Sequence, residues 1–239
     1  MSASAPGSDR RPATEEAAAF LRHGGRLAAA RAAFPRAPQP WLDLSTGVNP
    51  RPWRGPRAAA AALARLPDPE EIANLEALAA HAFGAAPGYV VAVAGAETAL
   101  RALPVLTGAG SVAIAVPTYG GHAEAWTLAG LTPTLAPRGH HARLAADALV
   151  LVNPNNPDGA RCDPAILREA AVQQGAEGRF LVVDESFVET TPRLSLAADL
   201  PPGLIVLRSF GKFYGLPGVR LGFLLAAPDF AARARAWFG

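Results

Sequence analysis

SFGKFYGLPGVRLGF, residues 209–223, carries Lys212, the only lysine in a chain of 239 residues that otherwise uses 21 arginines. Wherever a generic cation is needed the chain uses arginine, so the single lysine points to a task that a guanidinium cannot perform. An amine can shed its proton when desolvated and attack a carbonyl carbon to form a Schiff base, whereas arginine stays protonated. Ser209 stands three residues before the lysine and Arg220 eight after it, with apolar GLIVL (203–207) leading in. A strand that delivers a hydroxyl, an amine and a guanidinium to one place suits an aldehyde that carries a phosphate.

Working outward from that segment, short apolar runs alternate with helical stretches. Strands are predicted at 89–94, 111–116, 132–136, 148–152, 179–184, 203–208 and 219–225, and helices at 96–106, 119–129 and 163–175. Such runs suit strands buried on both faces of a mostly parallel sheet, which makes the fold class α/β, a seven-stranded sheet flanked by helices. Upstream, Asp68-Pro69-Glu70-Glu71 supplies an N-cap, a proline at the first helical position and two acids in the first turn. The helix it opens runs to about Phe83, with Gly84 as its stop. RAAAAALARL (57–66) and residues 15–21 read as two further helices, and residues 1–13 as a disordered lead-in.

Several strand ends carry polar residues. RFLVVDES puts Asp184 at the carboxyl end of a buried strand, where ligands of open α/β sheets sit. A carboxylate there needs a cation, either a ligand's or an arginine's, unless it caps a helix. AGAETALRAL (94–103) is by itself an ordinary turn from strand to helix, one whose backbone amides at Gly95, Ala96 and Glu97 have the arrangement that can also cradle a phosphate. VNPNNPDG (152–159) has the composition of a turn, and PTYGGH (117–122) places Tyr119 in a half-buried one.

Composition narrows the field. Half the residues are hydrophobic, enough for a substantial core, and the formal net charge is only +2. The arginines are scattered rather than blocked, which argues against nucleic acid and for small acidic ligands. Cys162 is alone, so no internal disulfide forms. His140 and His141 are adjacent and face apart on any regular element, giving no metal site. No apolar run reaches membrane-spanning length, and PATEE after Arg10-Arg11 stands where a secretion signal needs an apolar stretch. The expected location is the cytoplasm.

The lysine segment resembles that of fold-type I pyridoxal-phosphate enzymes, in the class I/II aminotransferase superfamily. The resemblance implies pyridoxal 5'-phosphate as cofactor, carried covalently on Lys212, with its phosphate held by Ser209, Arg220 and the Gly95, Ala96 and Glu97 turn. It implies that Asp184 faces the pyridine nitrogen, that Tyr119 stacks on the ring, and that Asn156 of the Asn-Pro-x-Asn-Pro-x-Gly loop bonds the ring hydroxyl, with Asn153 structural. Two positions depart from the pattern: Phe187 stands where relatives usually have a tyrosine touching the ring hydroxyl. Leu66 stands where many have a tyrosine that reaches the partner subunit.

The amino-terminal part is similar to one branch of that family. His23-Gly24-Gly25, DLSTGVNP (43–50) and LPDPE (66–70) resemble the threonine-phosphate decarboxylases of cobalamin biosynthesis, close kin of histidinol-phosphate aminotransferases. That implies a phosphorylated amino acid as substrate, with contacts from His23, Gly24 and Asn49, although His23 also suits a helix cap and Asn49 a turn. It further implies residues 14–56 as a segment over the active site, 57–239 as the cofactor domain, a homodimer, and a small carboxy-terminal domain beyond Gly239. Alternatives are an aminotransferase acting on a similar phosphorylated substrate and an inactive cofactor-binding fragment.

Overall fold

The computed structural model describes residues 24–56, 58–140 and 144–239. These divide into two units, one ending at Gly47 and one running from Val48 to Gly239. In the first, helix α1 (Leu27–Ala33) follows a loop in which Gly25 N–H donates to Ser45 Oγ at 2.9 Å, and Ser45 Oγ donates to Asp43 at 2.5 Å. A β-carbon on Gly24 would lie 1.8 Å from the Ser45 carbonyl oxygen, so only glycine lets these two strands of chain touch. The predicted helix at 15–21 lies outside the described residues.

The second unit is built on seven strands: β1 (Val90–Val93), β2 (Val112–Val116), β3 (Thr134–Pro137), β4 (Ala148–Val152), β5 (Phe180–Asp184), β6 (Leu204–Ser209) and β7 (Gly222–Ala226). They form one sheet in the order β1-β7-β6-β5-β4-β2-β3, parallel except for β7, which runs against both neighbours. Helices α2 (Pro69–Phe83), α3 (Ala96–Thr107), α4 (Gly121–Leu128), α5 (Pro164–Ala176), the single turn α6 (Phe210–Phe213) and α7 (Pro228–Phe238) complete it. The two-residue alternation of each strand sorts its side chains into two cores. Val150, Val182, Ile205, Leu207 and Leu224 pack with Trp126 of α4 and Phe230 of α7 on one face. Leu149, Leu181, Val183, Val206 and Phe223 pack with Ala80 of α2 and Leu167 of α5 on the other.

The sequence reading of the sheet holds to within a residue or two except at its last strand. β7 starts at Gly222 rather than 219, because Pro217–Val219 forms a 3₁₀ turn and Arg220 adopts a left-handed conformation (φ 55°). The predicted helix at 57–66 reduces to a 3₁₀ turn at Ala60–Ala64 with no buried residue. Leu63 and Leu66 are 79% and 88% exposed there, so alanine propensity finds no apolar surface to pack against. α2 forms as read: Asp68 accepts from Glu70 N–H, Glu71 reaches back to Asp68 N–H, and Gly84 ends the helix in the left-handed region. Glu76 of α2 also protects the open edge of β1, accepting from Ala92 N–H at 3.0 Å and pairing with Arg235 of α7, which donates to the Val90 carbonyl. Among the described residues no helix is long and apolar enough to cross a membrane, and no cluster of metal-ligating side chains occurs.

Candidate active site

The strand-end residues singled out above gather along one edge of the sheet, where β1, β2, β4, β5 and β6 end and β7 begins. The register fixes this: Asp184 lies beside Val152 and Leu207, and Gly222 lies beside both Ser209 and Val93. In open α/β sheets ligands sit outside the carboxyl ends of the strands, which is this edge.

One end of the site is a cradle for an anion. α2 and α5 have aspartate side chains over their first amides, but α3 has Gly95 (φ 89°) and no side-chain cap. A β-carbon on Gly95 would lie 3.0 Å from an Arg220 guanidinium nitrogen, and one on Gly222 would lie 2.3 Å from Ala96 N. Two glycines therefore allow β7 to approach the start of α3, and the left-handed Arg220 brings its charge onto the same turn. Ser209, paired with Gly222, ends β6 on that side. The first amides of a twelve-residue helix and a guanidinium thus converge, with Ser209 at the neighbouring strand end. The Glu97 side chain is engaged elsewhere, 2.8 Å from Arg101 Nε and accepting from Tyr119 Oη at 3.4 Å.

The middle of the site is Asp184, 5% exposed at the end of β5. Its Oδ2 accepts from His122 Nε2 at 3.1 Å and its Oδ1 from Ser186 N–H at 2.8 Å. Burial alone raises this carboxyl; the His122 and Ser186 hydrogen bonds outweigh it and hold Asp184 below the ordinary carboxylate range, so it is an anion. His122 is fully buried, and its Nδ1 has no partner among the described residues. Its ring meets Tyr119 edge-on, 6.2 Å between centroids. Gly121 leaves room for the tyrosine, since a β-carbon there would lie 2.3 Å from the Tyr119 ring. Burial first, then the Glu97 carboxylate, push the Tyr119 hydroxyl up, which keeps it a donor.

Lys212 sits in α6 with Nζ 5.7 Å from the centre of the Phe187 ring. The loop at Asn49 clasps this turn: Asn49 N–H donates to the Lys212 carbonyl at 3.0 Å, Asn49 Nδ2 to the Phe213 carbonyl at 2.9 Å, and Trp53 N–H to the Tyr214 carbonyl. Asn49 Oδ1 accepts from Arg51 N–H, so its amide retains one donor hydrogen for any ligand. Gly215 is in the left-handed region, and a β-carbon on it would lie 2.7 Å from the Asn49 carbonyl. Asn153 is wholly buried and bonds the Cys162 backbone in both directions, whereas Asn156 is half-buried and makes none of these bonds. His23 lies outside the described residues, and Gly24 belongs to the amino-terminal unit.

Sequence reading missed three groups. His122 stands three residues beyond Tyr119, a spacing that puts both on one side of a helical turn, and this was its only signal. Asn155 occupies the variable position of the Asn-Pro loop. Arg208 and Glu185 lie back to back with Ser209 and Asp184, where strand alternation sends them to the opposite face. There Arg208 pairs with Glu185 at 3.2 Å and Glu189 at 2.8 Å, while Glu185 also accepts from Ser195 Oγ and Leu196 N–H.

Burial pushes Glu185 up to about 6, against the pull of Leu196 N–H and Arg208. The folded state therefore binds this proton more tightly than the unfolded chain, and the group weakens the fold as pH rises from 4.5 through about 6. Asp184 acts in the opposite sense, its contribution being present above the unfolded value of 3.8 and lost as pH falls through its lowered one. In urea melts, the stability of Glu185→Gln relative to the parent is expected to increase by about 2 kcal/mol in all as pH rises from well below 4.5 to well above 6. A flat difference would contradict the raised value.

Residues 39–237 match the family model for aminotransferase class I and II. The chain is 43% identical over 209 residues to a threonine-phosphate decarboxylase of Pseudomonas aeruginosa, covering 86% of this chain and 62% of that protein. It is 38% identical over 220 residues to one from a Sinorhizobium species, covering 91% and 66%. A histidinol-phosphate aminotransferase from Sinorhizobium meliloti, solved in complex with pyridoxal-5'-phosphate, superposes with a TM-score of 0.61 at 26% identity, over 72% of this chain and 51% of that one. The chain thus spans slightly under two thirds of the length of these two curated relatives.

Proposed function

The chain belongs to the aminotransferase class I and II family, and from that premise we propose that it supplies the cofactor site of a pyridoxal-phosphate-dependent decarboxylase acting on L-threonine O-phosphate, in cobalamin biosynthesis. The observation that carries the reading is the single sheet edge on which the Gly95 cradle, Ser209, Arg220, Asp184 and Lys212 meet. The identity to two threonine-phosphate decarboxylases supports this branch over the aminotransferases.

The residues fit the cofactor. The turn at Gly95 has space, amides and a guanidinium for a phosphate, and Asp184 is a buried anion suited to a protonated ring nitrogen. Pyridoxal phosphate, when bound, supplies an aldehyde for amine attachment and a ring that accepts an electron pair. In this reading the amides of Ala96 and Glu97, Ser209 Oγ and Arg220 hold the phosphate. Tyr119 packs on the ring, Asn156 Nδ2 donates to the ring hydroxyl, and Phe187 forms apolar wall where relatives have a second hydroxyl. Lys212 Nζ would hold the aldehyde carbon and would supply the proton that takes the place of the carboxylate. Substrate contacts fall to His23, Gly24 and the free donor of Asn49. Residues 57–239 form the cofactor domain, and a cytoplasmic homodimer is the expected setting.

Which bond breaks depends on which substituent is held perpendicular to the ring, so the same residues serve decarboxylation and amino transfer. Release of labelled carbon dioxide from carboxyl-labelled O-phospho-L-threonine, with pyridoxal phosphate added, tests the reading. Release that requires Lys212 is expected. Amino transfer to an oxo acid without release would overturn it in favour of an aminotransferase, the class of the Sinorhizobium meliloti structure.

A further inference from the structure

The loop after β2 carries Tyr119 and the loop after β4 carries Asn156, and one buried side chain ties the two together. Asn155 is 4% exposed. Its Nδ2 donates to the Pro117 carbonyl at 3.0 Å and to Asp158 Oδ1 at 2.7 Å, while its Oδ1 accepts from Thr118 Oγ1 at 3.0 Å. Its own backbone closes the second loop, donating to the Ala160 carbonyl and accepting from Gly159 N–H. Asp158 accepts from Ala160 N–H as well and pairs with Arg138, just past β3.

We propose that Asn155 is a positioning residue that sets the spacing between Tyr119 and Asn156, and thereby the plane in which the pyridine ring is held; this rests on the cofactor reading above. Tyr119 is assigned a face of the ring and Asn156 its edge. The two demands are perpendicular, and they are met together only if the loops that carry them keep a fixed separation. Errors of about 1 Å in such placement are costly to catalysis. Asn155 bonds the two residues immediately before Tyr119 and itself immediately precedes Asn156, so the link is as short as the chain permits. A planar amide is the group that supplies two donors and an acceptor in one plane at this reach. Aspartate lacks the donors, and glutamine is a methylene too long.

The test follows pyridoxal phosphate added to the purified chain, by absorbance for affinity and by induced circular dichroism of the cofactor band for ring orientation. Asn155→Ala is expected to raise the dissociation constant about tenfold and to diminish the dichroic band. In a Tyr119→Ala, Asn156→Ala background the same change is expected to alter affinity by less than about twofold, because the residues it acts through are gone. A full effect in that background would overturn the proposal, since a general loss of stability adds regardless of those two side chains. Thr118→Val removes one bond of the clamp at a half-buried position and serves if Asn155→Ala does not fold. It is expected to lower the band, and unchanged dichroism and affinity would also overturn the proposal. If the parent chain binds through Lys212 and Asn155→Ala matches it, only the clamp fails. If the parent chain shows no Lys212-dependent band, the cofactor reading fails and the clamp falls with it.

Discussion

Lys212→Ala is expected to abolish the absorbance band of covalently held pyridoxal phosphate and to lower carbon dioxide release by at least about a thousandfold, a loss of some 4 kcal/mol of transition-state stabilisation. The size follows from two roles falling on one atom. In the proposed reading Nζ would hold the aldehyde and later supply a proton, and the sequence contains no other lysine to take over either task. Arginine cannot substitute, because it does not deprotonate. The phosphate cradle and Asp184 are untouched by the change, so the variant is expected to retain non-covalent affinity for the cofactor. Comparing the two readouts separates loss of the amine from loss of the site. An unchanged band in the variant would remove Lys212 from the chemistry.

Arg208→Ala is expected to have the largest effect on the fold, about 3–5 kcal/mol and roughly 10 °C in Tm. The side chain is 7% exposed, stacks over the Phe83 ring at 4.2 Å and faces two carboxylates, one of them wholly buried. Removing it leaves Glu185 buried with only the Ser195 hydroxyl and the Leu196 N–H and no cation, which costs more than the pair contributes when intact. Glu185 is the residue after Asp184 and Arg208 the one before Ser209, so the same loss loosens two strand ends that carry the site. Arg65→Ala breaks an ion pair whose partners are both about half exposed and is expected to leave Tm nearly unchanged. Equal effects in thermal melts of the two variants would contradict this account of the buried network.

Much of this was legible in the sequence because it is written locally. Apolar runs of five or six residues give buried strands wherever both faces are covered, and Asp68-Pro69 with Gly84 punctuates α2 by rules that need no tertiary context. Lys212, Asp184 and the Gly95 turn could be read because each sits at a strand end, where chain direction alone decides which edge it joins. What escaped depends on pairing across the sheet. Arg208 looks like one arginine among many until β5 and β6 are set side by side in register. His122 gains its meaning only when α4 packs over the end of β5. Asn155 became visible once the β2 and β4 loops were neighbours. The alanine-rich stretch near residue 60 shows the converse, a strong local propensity with nothing to pack on.

The central claim, that Lys212 is the attachment point for pyridoxal phosphate, is tested most directly by a property of the composition. A lysine-specific protease can cut this chain at one place only. The folded chain is given one equivalent of pyridoxal phosphate, reduced with borohydride, unfolded and digested. The account predicts that it stays whole, whereas chain reduced without cofactor, or unfolded before the cofactor is added, is cut in two after Lys212. Cleavage of the folded, cofactor-treated chain to the same extent as those controls would contradict it.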